Sequence, residues 1–124
     1  MALEIDVLKK ENEDMIIFQL RGSLDTQTYA QLTDLAVQQM SKPLKGVILD
    51  FASLEYISSM GISAILQVRQ MLEAKGAKLM MANIPHHIDQ VFRTVKALPD
   101  VKIFESMEEA DRYFMEIQKR AKGG

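Results

Sequence analysis

Val47-Ile48-Leu49-Asp50-Phe51, running on through Leu54-Glu55-Tyr56-Ile57-Ser58-Ser59-Met60-Gly61-Ile62, is the stretch on which the fold turns. Its first five residues are rich in branched apolar side chains and lack polar alternation, the pattern of a strand buried on both faces. Such a strand belongs in the middle of a sheet. From Gly61 the period changes: Gly61, Ala64, Ile65, Val68, Met71 and Leu72 recur at i, i+3, i+4, i+7, i+10 and i+11 until Lys75-Gly76 ends the run. That spacing predicts an amphipathic helix.

The rest of the chain repeats the alternation of strand and helix. Upstream, Leu3, Ile5 and Val7 alternate with Glu4 and Asp6, and Met15 to Leu20 is an apolar run, with polar Lys9 to Asp14 between them. A β-hairpin is the economical reading. Asp25 and Thr26 offer an N-cap to a helix carrying Tyr29, Leu32, Ala36 and Met40, with Pro43 just past its end. Downstream, Lys78 to Asn83 reads as a strand. Pro85 suits the first turn of a short helix whose buried stripe is Ile88, Val91, Phe92 and Val95, and Pro99 closes it. Val101 to Phe104 is a brief strand. Ser106 and Glu109 then form a capping box ahead of Ala110, Tyr113, Phe114 and Ile117, in a helix expected to fray before Gly123-Gly124.

Strands separated by helices of this length need crossover connections. The fold class is therefore α/β, a mixed and mostly parallel sheet of about five strands covered by about four helices, with the first hairpin supplying the antiparallel pair. No repeat, low-complexity segment or linker interrupts residues 1–124, so one domain is expected.

Composition narrows the function. Fifteen basic and seventeen acidic side chains give a net charge of -2, with 48% of the chain hydrophobic and 26% charged, as in one soluble globular domain. With no cysteine, thiolate metal sites and cysteine nucleophiles are excluded. Without a basic run, nucleic-acid binding through phosphate neutralisation is not expected, and Lys119, Arg120 and Lys122 are too few to alter that. No apolar stretch approaches the roughly 20 residues that span a bilayer, and the opening residues carry acids where a signal peptide would be basic and then apolar. A cytoplasmic location without a membrane partner is the expectation.

Open α/β sheets keep their sites at the carboxyl ends of the strands, which directs attention to Ser58-Ser59 at the start of the second helix. The plain reading is that one serine is the N-cap. The sharper reading is a phosphorylation site, since a helix N-terminus favours a phosphate through its dipole and free amides. Catalysis by a serine with His86 or His87 lacks the G-x-S-x-G turn that would expose a nucleophile. Adjacent histidines on a helix point about 100° apart, unlike the i, i+4 pair of a helical zinc site, so no metal is expected. Gly22, Gly46, Gly61 and Gly76 stand alone and make no phosphate-cradling loop, and no cofactor is expected. Most of the nine methionines fall on apolar stripes as core filler, with Met60 the exception.

Val47-Ile48-Leu49-Asp50-Phe51 with Tyr56-Ile57-Ser58-Ser59-Met60-Gly61-Ile62 resembles the signature of STAS domains of the anti-sigma factor antagonist family, in which a buried strand leads to an aromatic, an aliphatic, Asp or Ser, the phosphorylatable Ser, one small residue and Gly. Gly22-Ser23-Leu24-Asp25 is similar to the family's Gly-x-Leu/Ile-Asp motif at the expected place before the first helix. Ser58 stands where many members have Asp, Met60 where Ser, Thr or Ala is frequent, and Ser63 where a second Gly is frequent. The resemblance implies that Ser59 is the phosphoacceptor and that Asp25 contacts a partner kinase. It further implies a docking surface of Asp25, Thr26, Ser58, Ser59, Met60, Ile62, Ser63 and Gln67 for an anti-sigma factor that is also a serine kinase. Binding would release the sigma factor, phosphorylation would end binding, and a serine phosphatase would reset the cycle, with the chain acting as a switch and not as an enzyme. A different use of the same module, as an ATPase-docking subunit of a transporter or a scaffold of a signalling complex, would need the surface but no phosphorylated serine.

Overall fold

A computed structural model describes residues 2–10, 14–97 and 99–123, without the side chains of Lys10 and residues 117–123. The elements run β1 (Leu3–Lys10), β2 (Met15–Leu24), α1 (Tyr29–Gln39), β3 (Gly46–Ile57), α2 (Ser59–Ala74), β4 (Lys78–Ala82), α3 (His86–Thr94), β5 (Lys102–Phe104) and α4 (Met107–Gly123). The five strands form one sheet in chain order, so β3 is central, as the lack of polar alternation from Val47 to Phe51 predicts, and Asp50 within it is buried. β1 is antiparallel to β2, and β2, β3, β4 and β5 are parallel neighbours.

Side-chain alternation along β3 divides the core in two. Val47, Leu49 and Phe51 point into the larger cluster, where Leu32 and Ala36 of α1, Ile65, Val68 and Leu72 of α2, and Ile88 and Phe92 of α3 cover one face of the sheet. Ile48 points the other way, to join Met15, Ile17, Met80 and Phe104 beneath Ala110 and Phe114 of α4. Phe51 meets Phe92 edge to face at 6.3 Å, which fixes α3 against the central strand.

The element order and type agree with the reading of the sequence, and the boundaries differ where local chemistry intervenes. β2 and β3 extend to Leu24 and Ile57, well beyond the apolar runs, because the two strands keep pairing with each other after β4 has ended. Their period-2 pattern is broken there by register shifts between Gln19 and Arg21 and between Gly22 and Ser23. Pro85 is the N-cap of α3 instead of lying in its first turn, and Val95, expected on the buried stripe, is its C-cap and is exposed. β5 begins one residue late, at Lys102, and α4 runs through Gly123 instead of fraying before it. Half of the expected capping box is present: Ser106 Oγ accepts from the Glu109 amide at 3.1 Å, but the Glu109 carboxylate accepts from the Glu105 amide and not from that of Ser106. Tyr113 leans on Phe104 at the rim of the second core, the rings tilted by 55° with centroids 5.4 Å apart, and Ile117 lies outside the described side chains. Met15, Met40, Met80 and Met81 fill the core, and Met115 joins Met60 as an exposed exception. Among the described residues no helix is long and apolar enough to cross a membrane.

Candidate functional site

The two sequence motifs meet because β2 and β3 end side by side. Leu24 pairs with Ile57, and the Leu24 carbonyl then accepts a hydrogen bond from the Ser58 amide at 3.0 Å. Asp25 and Ser59 are the next residues on either side of this tie. Gly61 makes the approach possible: a Cβ there would run into the Leu24 carbonyl oxygen and lie 3.0 Å from Ile57 Cγ1. Gly22 plays the matching part at the edge, with φ of +100° and no room for a Cβ against the backbone of Ala2.

Ser58 is the N-cap of α2. Its backbone is extended, its Oγ accepts from the Gly61 amide at 3.2 Å, and its carbonyl accepts from the Ile62 amide at 3.0 Å. With that task taken by Ser58, Ser59 occupies the first helical position, exposed, and its hydroxyl has no hydrogen-bond partner among the described residues. Tyr56, 47% exposed, and Met60, 40% exposed, flank it in sequence. Ser63 and Gln67 follow Met60 at i+3 and i+7 and are exposed, so they share a helix face with it. Ile62 does not belong to this surface. It is 3% exposed and packs in the larger core, because the helix phase that turns Met60 and Ser63 outward turns Ile62 inward.

The Asp25 loop departs from the expected N-cap. Thr28 stands at the cap position of α1 without a side-chain cap bond, while Asp25 closes the turn before it: its Oδ1 accepts from the Gln27 amide at 2.9 Å and the Thr28 amide at 3.2 Å. Buried Thr28 accepts from the Asp25 amide at 2.9 Å and donates to the Ser23 carbonyl at 2.8 Å. The carboxylate is thus held by its own loop and only partly buried, and Thr26 is exposed at the crest. Sequence reasoning missed Thr28 and the part of Tyr56 as a projecting side chain. A Thr three residues after an Asp signals such a turn, whereas the bulge beside Ser23 hides the strand pattern that would have placed Tyr56.

The histidines head α3. His86 is exposed, and His87 Nε2 lies 3.0 Å from the Glu55 carbonyl on β3. Among the described residues no group of three or more His, Asp or Glu is placed to hold a metal ion.

Residues 6–110 match the family model of the STAS domain. The chain belongs to the STAS domain family. BtrV of Bordetella bronchiseptica, assigned by name to the anti-sigma factor antagonists, is 28% identical to this STAS chain over 102 residues, 82% of the chain and 88% of BtrV. Among solved structures, SpoIIAA in its unphosphorylated form covers 99% of the chain and 100% of its own at 18% identity and a TM-score of 0.65. The phosphorylated form, from Bacillus, covers 90% and 99% at 21% identity and a TM-score of 0.67. A sulfate transporter family protein from Wolinella succinogenes covers 86% and 88% at 16% identity and a TM-score of 0.71. At these identities the structural likeness is one of fold, and it spans antagonist and transporter relatives alike.

Proposed function

We propose that this STAS chain is an anti-sigma factor antagonist controlled at Ser59. Unphosphorylated, it docks on an anti-sigma factor serine kinase in the cytoplasm through the Asp25 loop and the outward face of α2, with Ser59, Met60, Ser63 and Gln67 at the contact. The sigma factor held by that kinase is released. Transfer of the γ-phosphoryl group of ATP to Ser59 Oγ, with loss of the hydroxyl proton, ends the complex, and a serine phosphatase restores it.

The observation that carries this reading is the division of labour between the two hydroxyls: Ser58 caps α2, and Ser59 stands exposed one residue later, without a hydrogen-bond partner among the described residues. A phosphate on Ser59 would meet the free amides and dipole of the first turn, so the modified domain has no reason to unfold. It would add about -1.5 to -2 charges in the middle of the proposed contact. The name carried by BtrV supports the antagonist use over the transporter use, which rests on likeness of fold alone.

Incubation with the anti-sigma factor serine kinases of the source organism and ATP tests the assignment. Intact mass and fragment spectra should show one phosphoryl group, on Ser59. Modification confined to Ser58 would overturn it.

A further inference from the structure

β3 is the longest strand and it outruns its neighbour: pairing with β4 stops at Asp50↔Ala82, seven residues before β3 ends at Ile57. Over this projecting segment β2 continues to pair on one side only, with Ser53, Leu54, Tyr56 and Ile57. On the other side the ladder has ended, and α3, whose Phe92 packs on Phe51 in the larger core, brings His87 Nε2 to the Glu55 carbonyl. A carbonyl oxygen can only accept, so His87 must present Nε2–H to Glu55, and both the neutral tautomer carrying that proton and the imidazolium can do so. The bond thus ties the Glu55 carbonyl, which the register with β2 passes over, to the head of α3. It falls one residue before exposed Tyr56 and three before Ser58, the cap of α2.

We infer that His87 is a positioning residue for the docking surface, its Nε2–H bond to the Glu55 carbonyl fixing the end of β3 that projects Tyr56 and delivers Ser58 and Ser59 to the start of α2. His86, the adjacent imidazole, has no such contact among the described residues and takes no part. The role in docking rests on the proposed antagonist function, whereas the bond and its effect on the strand end do not.

The experiment compares wild type with His87→Ala, His87→Gln and His86→Ala in the full chain. Gln keeps an amide N–H at nearly the place of Nε2. In the free protein, the Glu55 carbonyl-carbon resonance and the amide exchange of residues 55–58 should change in His87→Ala, return toward wild type in His87→Gln and stay unchanged in His86→Ala. An exposed hydrogen bond of ordinary net strength predicts an increase in exchange, and a loss of affinity for the anti-sigma kinase, of about three- to tenfold. Melting temperatures should stay close together, which separates positioning from a general loss of stability. Unchanged resonances and exchange in His87→Ala, no rescue by Gln, or an equal effect of His86→Ala would overturn the inference. If the free-protein changes occur and are rescued but no variant, wild type included, binds the kinase, the strand-end role stands and the antagonist reading fails. Kinase binding by wild type that His87→Ala leaves intact, despite changed resonances, removes the docking role alone.

Discussion

Ser58 and Ser59 differ by one position and should differ sharply under substitution. Ser58 Oγ satisfies an otherwise orphaned amide at the head of α2, so Ser58→Ala should cost about 0.5 to 2 kcal/mol, read as a lowered urea midpoint. Ser59 Oγ has no hydrogen-bond partner among the described residues, and Ser59→Ala should stay within about 0.5 kcal/mol of wild type. Reversal of that order would mean that Ser59 is the structural hydroxyl. Asp25 needs more careful treatment than a truncation to alanine. Its Oδ1 holds the Gln27 and Thr28 amides, so Asp25→Ala changes the loop as well as the charge. Asp25→Asn keeps an acceptor in place and removes only the charge. It should melt close to wild type while binding the kinase more weakly, and stability lost to the same degree in both variants would show that the charge itself serves the fold. Gly61→Ala places a methyl group against the Leu24 carbonyl, where neither backbone can retreat without breaking the Ser58–Leu24 tie. A cost of about 1 to 3 kcal/mol is expected from overpacking, with both motifs disturbed together.

At the scale of elements, α2 packs one face on the core and presents the other to solvent, where the proposed contact lies. Ile65 is fully buried between the helix and the sheet, in one cluster with Leu49, Val68 and Leu72, so Ile65→Ala should cost about 2 to 5 kcal/mol through lost burial and the cavity left behind. An unchanged melting temperature would contradict the observed phase of the helix. That phase was legible in the sequence because the stripe from Gly61 to Leu72 keeps a strict helical period, and β3 was legible as central because Val47 to Phe51 contains no alternation. The limits of legibility are equally physical. Beyond Phe51 the strand is paired on one side and crosses a bulge, so its residues follow neither the buried nor the half-buried template, and a strand end looks like a loop. Ile62 illustrates the same limit at the site: a motif places it beside the proposed phosphoacceptor, but only the helix phase shows that it faces the core. The contact from His87 to Glu55 spans 32 positions and leaves no local pattern at all.

For the molecule as a whole, the proposed switch requires that binding change without the fold, and the position of Ser59 is compatible with that separation. A carboxylate at the first helical position is mildly favourable, by about 0.3 to 1 kcal/mol at an exposed helix start, so Ser59→Asp should keep the circular dichroism and melting temperature of wild type. In the complex the same carboxylate would be stripped of water with no counter-charge supplied by this chain's own loop, since Asp25 across the Leu24–Ser58 tie is itself acidic. Affinity for the anti-sigma kinase should fall about tenfold or more, equivalent to about 1.4 kcal/mol or more, as read by titration calorimetry. Salt distinguishes two origins of that loss. If it came from net charge alone, the variant being more negative than a chain already at -2, raising ionic strength to about 1 M would shrink the screening length to about 3 Å and restore most of the binding. Desolvation within the contact is local, so the difference between Ser59→Asp and wild type should persist in high salt. Equal affinity of the two proteins at low salt would sink the switch and leave the transporter or scaffold use of the fold as the reading to pursue, whereas a loss that vanishes at high salt would keep the switch but move its site of action from the contact to the long-range field.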